Sequence, residues 1–244
     1  MRRPALILLP VLLLALCLHA SASMPPRARV LVFTKTTGWR HDSIPTAVAA
    51  LQRLGAREGM QVDHTEDARD FNARRLTRYQ AVVFANTTLD VLDDTQQAAM
   101  EGFVRAGGGY MGVHSAADTE YDWPWYGELV GAWFKNHPPG LQAARVVFEG
   151  IDTDASQDWR VTDEIYNYRG NPRAKVRVLA TVRESDYDGG SMGKDHPIAW
   201  CHAFDGGRAW YTGLGHDAAL YADPVFLRHL QRGLRYAAML SNEC

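Results

Sequence analysis

This chain predicts a three-layer α/β fold: a mostly parallel sheet flanked by helices, with an antiparallel extension in the C-terminal half. Three observations lead there. Short apolar runs such as Val30-Leu31-Val32-Phe33 alternate with segments of helical period through the first half of the chain, the rhythm of a parallel sheet covered on both faces. From about residue 143 that alternation stops, and strands follow one another across polar turns as they do in antiparallel pairing. Between the two patterns, Gly112 and Ala116 flank His114; small residues at that spacing let a strand turn sharply into a helix and push one side chain out over the sheet edge.

Taken in order, residues 27–34 read as a buried strand and 44–57 as a helix ended by Gly59, with Ser43 as its cap and Pro45 in its first turn. Strands follow at 61–65 and 81–86, then a helix over 94–106 capped by Asp94 or Thr95, then a fourth strand at 110–114. Residues 145–148, 175–182, 198–204 and 208–212 are the strands of the antiparallel extension, and 224–238 is an amphipathic closing helix. No repeat, low-complexity linker or charge block marks a second domain, so 27–240 reads as one.

The first residues read differently. Met1-Arg2-Arg3, an apolar run from Ala5 to Leu18 and then Ala20-Ser21-Ala22 are the parts of a secretory signal peptide spanning residues 1–22. The run is short for a membrane span and no later segment is apolar enough to cross, so no stable membrane insertion is expected. Leu16 before Cys17, where a lipid-attachment signal has a small residue, argues against a lipoprotein. The expected location is the periplasm or the exterior. Beyond the leader only Cys201 and Cys244 remain, too few for a disulfide scaffold; one bridge is compatible with export, but Cys201 lies in an apolar strand and reads as a buried, inert thiol. A net charge of −2 and the lack of any basic stretch exclude a nucleic-acid-binding role.

In parallel sheets ligands bind beyond the carboxyl ends of the strands. The loop 35–43 and the elbow at His114 therefore open on one crevice. His41, His114, His137 and His216 all stand at expected strand ends or loops beside glycine or proline. No two have the close spacing of a helix-borne zinc motif, so any metal site must be assembled by the fold. His114 and His216 follow glycine-rich strands that end on the same side, which makes them either an acid–base pair or ligands of a divalent metal with an open position. Zinc is the metal to test, with His41, His114 and His216 as its ligands. Glu164, beside Asp163 on an apolar-flanked strand, is the third catalytic group, as base or ligand. Trp39, Tyr121, Trp123, Trp125, Tyr126 and Tyr166 are the flat surfaces a sugar ring stacks on, with Trp123 and Trp125 expected to divide into one buried and one lining ring. Arg40, His41 and Asp118 would meet its hydroxyls. The triple glycine 107–109 enters a strand, whereas a phosphate loop leaves one, and this disfavours a nucleotide site.

The segments Phe33-Thr34-Lys35-Thr36-Thr37-Gly38-Trp39-Arg40-His41-Asp42-Ser43-Ile44, Gly112-Val113-His114-Ser115-Ala116-Ala117-Asp118-Thr119, Asp163-Glu164-Ile165-Tyr166, His196-Pro197-Ile198-Ala199-Trp200 and Gly213-Leu214-Gly215-His216 resemble the ThuA-like family. That family is named for a trehalose-utilisation protein, and its fold is similar to class I glutamine amidotransferases, themselves flavodoxin-like. The resemblance runs from about Val30 to Ala238. In amidotransferases the elbow residue is a cysteine activated by a later histidine; here those places match His114 and His216, so the resemblance implies loss of glutamine hydrolysis. It further implies disaccharide or glycoside metabolism, in systems that oxidise a sugar to a 3-keto form before cleaving it. The resulting expectation is an exported lyase, hydrolase or isomerase acting on a sugar, glycoside or 3-keto-sugar, partnered by a sugar oxidoreductase. The alternatives are a non-catalytic carbohydrate-binding protein and a partner subunit of a sugar-oxidising system.

Overall fold

The computed structural model describes residues 28–150 and 159–244; the expected signal peptide lies outside them. Its strands are β1 (Ala28–Phe33), β2 (Met60–Thr65), β3 (Ala81–Ala85), β4 (Gly109–Val113), β5 (Phe134–Asn136), β6 (Gln142–Phe148), β7 (Trp159–Asp163), β8 (Asn167–Tyr168), β9 (Arg177–Val182), β10 (Pro197–Phe204) and β11 (Gly207–Thr212). The helices are α1 (Ile44–Arg57), α2 (Ala73–Leu76), α3 (Asp94–Arg105), α4 (Pro124–Val130) and α5 (Pro224–Ala237). Among the described residues a 9-stranded sheet runs in the order β2-β1-β3-β4-β11-β10-β9-β6-β7, and β5 pairs with β8 beside it.

The strands from β2 to β11 in that order are mutually parallel, while β10, β9, β6 and β7 alternate in direction. This refines the expected extension. Residues 208–212 were expected among antiparallel strands, yet β11 pairs parallel to β4 and antiparallel to β10, making it the junction of the two halves. Its last residue, Thr212, is in register with Val113, so the chain leaves both strands at the same edge.

Burial explains the central strands. Every residue of β3 and β4 is buried, as are Val30 to Phe33 of β1; each large aliphatic or aromatic side chain so buried contributes about 1.5–3 kcal/mol. Gly109 permits close packing, since a Cβ there would lie 1.9 Å from the Ala237 carbonyl oxygen of α5. Helix α3 is capped by Asp93, not by Asp94 or Thr95: Asp93 and Gln96 form a reciprocal capping box that satisfies two end N–H groups at once. Ser43 precedes α1 but makes no side-chain cap bond, because its hydroxyl is used elsewhere.

Cys201 and Cys244 form a disulfide, which corrects the reading of Cys201 as an inert thiol. Sequence alone did not show that the segment after α5 returns to β10. No described helix is long and apolar enough to cross a membrane.

Candidate metal centre at the parallel strand ends

Four loops deliver the site, each from a different strand end. The segment between β1 and α1 carries Trp39 and His41; the turn after β4 carries His114; the residue after β7 is Glu164; the segment after β11 carries His216. His114 has a φ of 51°, a left-handed conformation that disfavours side chains with a Cβ by roughly 1–2 kcal/mol. Gly112 is required beside it, because a Cβ there would lie 2.8 Å from the Tyr110 hydroxyl and 3.2 Å from the Ala116 Cβ.

The loop bearing His216 is held from two sides. Asp163, fully buried, accepts hydrogen bonds from the backbone N–H of Gly215 at 2.6 Å and of Asp217 at 2.8 Å. The Gly215 carbonyl in turn receives the hydroxyls of Ser43 and Tyr221, both at 3.1 Å, and the Asn86 amide at 3.3 Å. Ser43 thus ties the β1–α1 segment to the β11 segment, which accounts for its absence from the helix cap.

These constraints bring the rings together. His41 lies 4.9 Å from His114 and 5.0 Å from His216 between ring centroids, and His114 lies 5.2 Å from His216. Ligand atoms of His41, His114, Glu164 and His216 all fall within 4.8 Å of one another. The Glu164 Oε2 is 3.4 Å from His114 Nε2 and 3.2 Å from His216 Nδ1.

The hydrogen bonds decide the tautomer of His114. Its Nδ1 meets the Gly213 carbonyl at 2.9 Å, which only accepts, so Nδ1 carries the proton. The Nε2 of the neutral ring is then a lone pair, buried, without a hydrogen-bond partner, and facing a carboxylate. Two acceptors face to face need a proton or a cation between them. His216 Nδ1 is likewise buried and unpartnered. Three imidazoles and one carboxylate around such a gap are a donor set that suits a first-row divalent metal. Second contacts that orient the ligating rings, here the Gly213 carbonyl on His114, are typical of metal sites.

The electrostatics agree. Burial, reinforced by His114 and His216, pushes His41 down to about 3, so it is neutral and ready to ligate. Burial alone would raise the Glu164 carboxyl; contact with His114 and His216 outweighs it and holds the group well below the carboxylate range. Contact with Glu164 raises His216 despite its burial.

Over the cluster lies a cleft of about 380 Å³ lined by Trp39, His41, Asp118, Phe134, His137, Glu164, Tyr166 and His216. Tyr166 packs on His114 at 4.3 Å, and Trp39, 73% exposed, stands at the rim. Of the residues expected to meet a sugar, Trp39, His41, Asp118 and Tyr166 line this cleft. Arg40, Trp125 and Tyr126 do not. Arg40 turns outward to a two-pronged pair with Glu66. On α4 the 100° step between neighbours sends Tyr126 into the core, where its hydroxyl donates to the Ala116 carbonyl at 2.7 Å, and turns Trp125 toward Asp205 and Phe204. Trp123 is buried and stacks on Trp125, so the expected division of the pair fails on its lining half. Two cleft residues were not among the expected site residues. Phe134 and His137 come from the β5 region, whose pairing with β8 has no signature in so short a strand; His137 donates from Nδ1 to the Pro138 carbonyl and lies 3.3 Å from Glu164 Oε1.

A mixed sheet of this order, with a sharp turn carrying a histidine at the end of a parallel strand, is a class I glutamine amidotransferase-like fold with a histidine-rich centre. The sequence profile of the ThuA family, described as trehalose utilisation, matches residues 29–237, and the chain belongs to that family. Two solved ThuA-like structures are similar to it. One, from Bacteroides uniformis, has 20% identity and a TM-score of 0.75 over 90% of this chain and 94% of that one. The other, from Parabacteroides merdae, has 20% identity and a TM-score of 0.70 over 89% and 91%. The β-galactosidase of Bacillus circulans sp. alkalophilus matches at 16% identity and a TM-score of 0.54 over 85% of this chain but 30% of its own; that likeness is one of fold. No sequence among the curated proteins matches this chain.

Proposed function

We propose that this protein is an exported enzyme of carbohydrate metabolism that uses a divalent metal, with zinc the first to test, in proton chemistry on a keto-sugar or glycoside. One observation carries the reading: His41, His114, Glu164 and His216, from four separate strand ends, aim donor atoms into one gap in which two buried nitrogens lack partners. A bound divalent ion would polarise a sugar carbonyl and lower the cost of removing the neighbouring proton. His114, His216 and Glu164 then act as ligands, which selects the metal alternative over a free acid–base pair of histidines. Trp39 supplies a flat face for a sugar ring, and the family's description gives the carbohydrate setting.

Export is part of the proposal and rests on the leader at residues 1–22, with a sugar oxidoreductase as the partner that supplies the keto form. The test is elemental analysis of protein purified without chelator, followed by turnover of a 3-keto-glycoside. One transition metal per chain, with turnover lost on chelation and restored by the metal, is expected. A metal-free protein that converts the substrate equally well would overturn the metal role. Metal-independent sugar binding without conversion would favour the carbohydrate-binding alternative.

A further inference from the structure

Once the four cluster residues hold a cation, their lone pairs are committed, and a proton lost by a ligand in the cleft must go to another group. Three further cleft residues could exchange a proton with such a ligand. His137 has Nδ1 directed to the Pro138 carbonyl, with Glu164 Oε1 at 3.3 Å. Tyr166 is 2% exposed, its phenol ring wedged between His114 at 4.3 Å and Phe134 at 4.2 Å. Asp118 is different. Its Oδ1 receives the Tyr121 hydroxyl at 2.5 Å, and no hydrogen bond reaches Oδ2 among the described residues. Tyr121 is itself fixed, with the Arg169 guanidinium 4.1 Å above its ring and the Trp133 ring 6.1 Å away. One oxygen of Asp118 is pinned by Tyr121, while the side chain lines the same cleft as His41, Glu164 and His216.

We infer that Asp118, oriented by Tyr121, is the proton-accepting residue of this cleft, and that the ligand it serves is one that presents two neighbouring oxygens to the cluster, as the enediol form of a vicinal hydroxy-carbonyl does. This rests on the metal reading above. Charge supports it: three neutral imidazoles and one carboxylate leave a divalent ion with one unbalanced positive charge, which favours a ligand that arrives neutral and binds as an anion. The proton balance is closed. The ligand's acidic O–H bond breaks, its electron pair stays on oxygen facing the cluster, and the proton passes to Asp118, which then donates a hydrogen bond back to the bound anion. Burial raises the Asp118 acid above the usual carboxylate range, the direction required to retain a transferred proton. With a sugar hydroxy-ketone the bond that breaks is the C–H beside the carbonyl: the proton passes to Asp118, the C–H pair becomes the enediolate C=C bond and the carbonyl π pair moves onto the oxygen facing the cluster, which makes Asp118 a catalytic residue distinct from the ligands.

The experiment uses acetohydroxamic acid, an O,O-chelating acid, against the cobalt-loaded protein, read by visible absorption and calorimetry. Wild type should bind one equivalent with a change in the cobalt spectrum. D118N, close in shape but no base, should keep its cobalt affinity within about twofold and lose hydroxamate affinity by about tenfold or more, as expected for a hydrogen bond to a charged group. Y121F, which frees the pinned oxygen, should weaken the hydroxamate by a smaller factor at unchanged cobalt content. Unaltered hydroxamate binding by folded D118N, or no hydroxamate binding by cobalt-loaded wild type, overturns the inference. Failure of wild type to take up cobalt at all would instead strike the metal reading.

Discussion

Two buried histidine–glutamate pairs sit on either side of Tyr166, and they differ in one respect. His196 has a partner at both nitrogens: Nε2 donates to the Tyr166 carbonyl at 2.8 Å, and Nδ1 accepts the Tyr187 hydroxyl at 3.2 Å, with Glu184 Oε1 beside it. Glu184 also accepts the backbone N–H of Met192 at 2.7 Å and of Gly193 at 2.9 Å, fastening that loop. His114 is equally buried, yet its Nε2 has no partner. Burial and residue type are the same in both places. His229 Nε2 is also buried without a partner, so unspent hydrogen-bonding capacity marks a histidine held ready for a ligand only where, as at His114, further donor atoms converge on the same gap.

Exchanging the roles of the two rings tests that contrast with the largest expected effects. H114N, whose side chain tolerates the positive φ, should lower metal affinity by more than about a hundredfold and leave thermal unfolding nearly unchanged. H196A should do the reverse, destabilising the fold by about 3 kcal/mol in chemical denaturation while one metal still binds. Equal metal loss in both variants would erase the distinction.

Acid provides a second separation. His229, buried against Trp210 and Phe148, is pushed down to about 3 by burial. Its lowered value favours the fold fully above the ordinary imidazole range. That contribution is lost as pH falls from about 6.5 toward 3, to a total on the order of 5 kcal/mol. The metal centre should respond earlier. Glu164 raises His216, so protons compete for that ligand from above about 6.5 downward, and metal content measured after desalting should fall before unfolding begins.

A smaller effect is expected behind the ligands. D163N should turn one of the two N–H acceptors of Asp163 into a donor, weakening the metal by about tenfold and the fold by about 1–3 kcal/mol. At the rim, W39A should lower sugar affinity several-fold, as loss of one stacking face does, without changing metal content. A rigid, fully solvated Trp39 that contributes nothing to sugar binding would confine recognition to the deeper residues.

Much of this was legible in the sequence because it followed from periodicity and topology. Buried runs beside helical segments gave the parallel half, and the rule that ligands sit beyond the strand ends placed His41, His114 and His216 together. Glu164 came from its place beside Asp163 in an apolar-flanked stretch. What escaped detection depends on contacts without a local pattern. Trp125 and Tyr126 looked like sugar platforms because aromatic density alone does not tell which way a helix of about two turns faces. His137 reaches the cleft through β5, a strand of 3 residues, too short for any alternation to register. Asp163 and Glu164 are neighbours of like charge; only the fold reveals that one fastens backbone and the other faces the cluster. The Cys201–Cys244 bond depends on the return path of residues beyond α5.

The backbone of His114 carries a last consequence. A left-handed residue other than glycine lowers thermal robustness by itself, and a search for heat-tolerant variants that ignored the ligand would replace it early. Retaining imidazole there trades endurance for chemistry. In laboratory evolution for thermostability alone, position 114 should therefore be among the first in the cluster to drift, and its drift should coincide with loss of the bound ion.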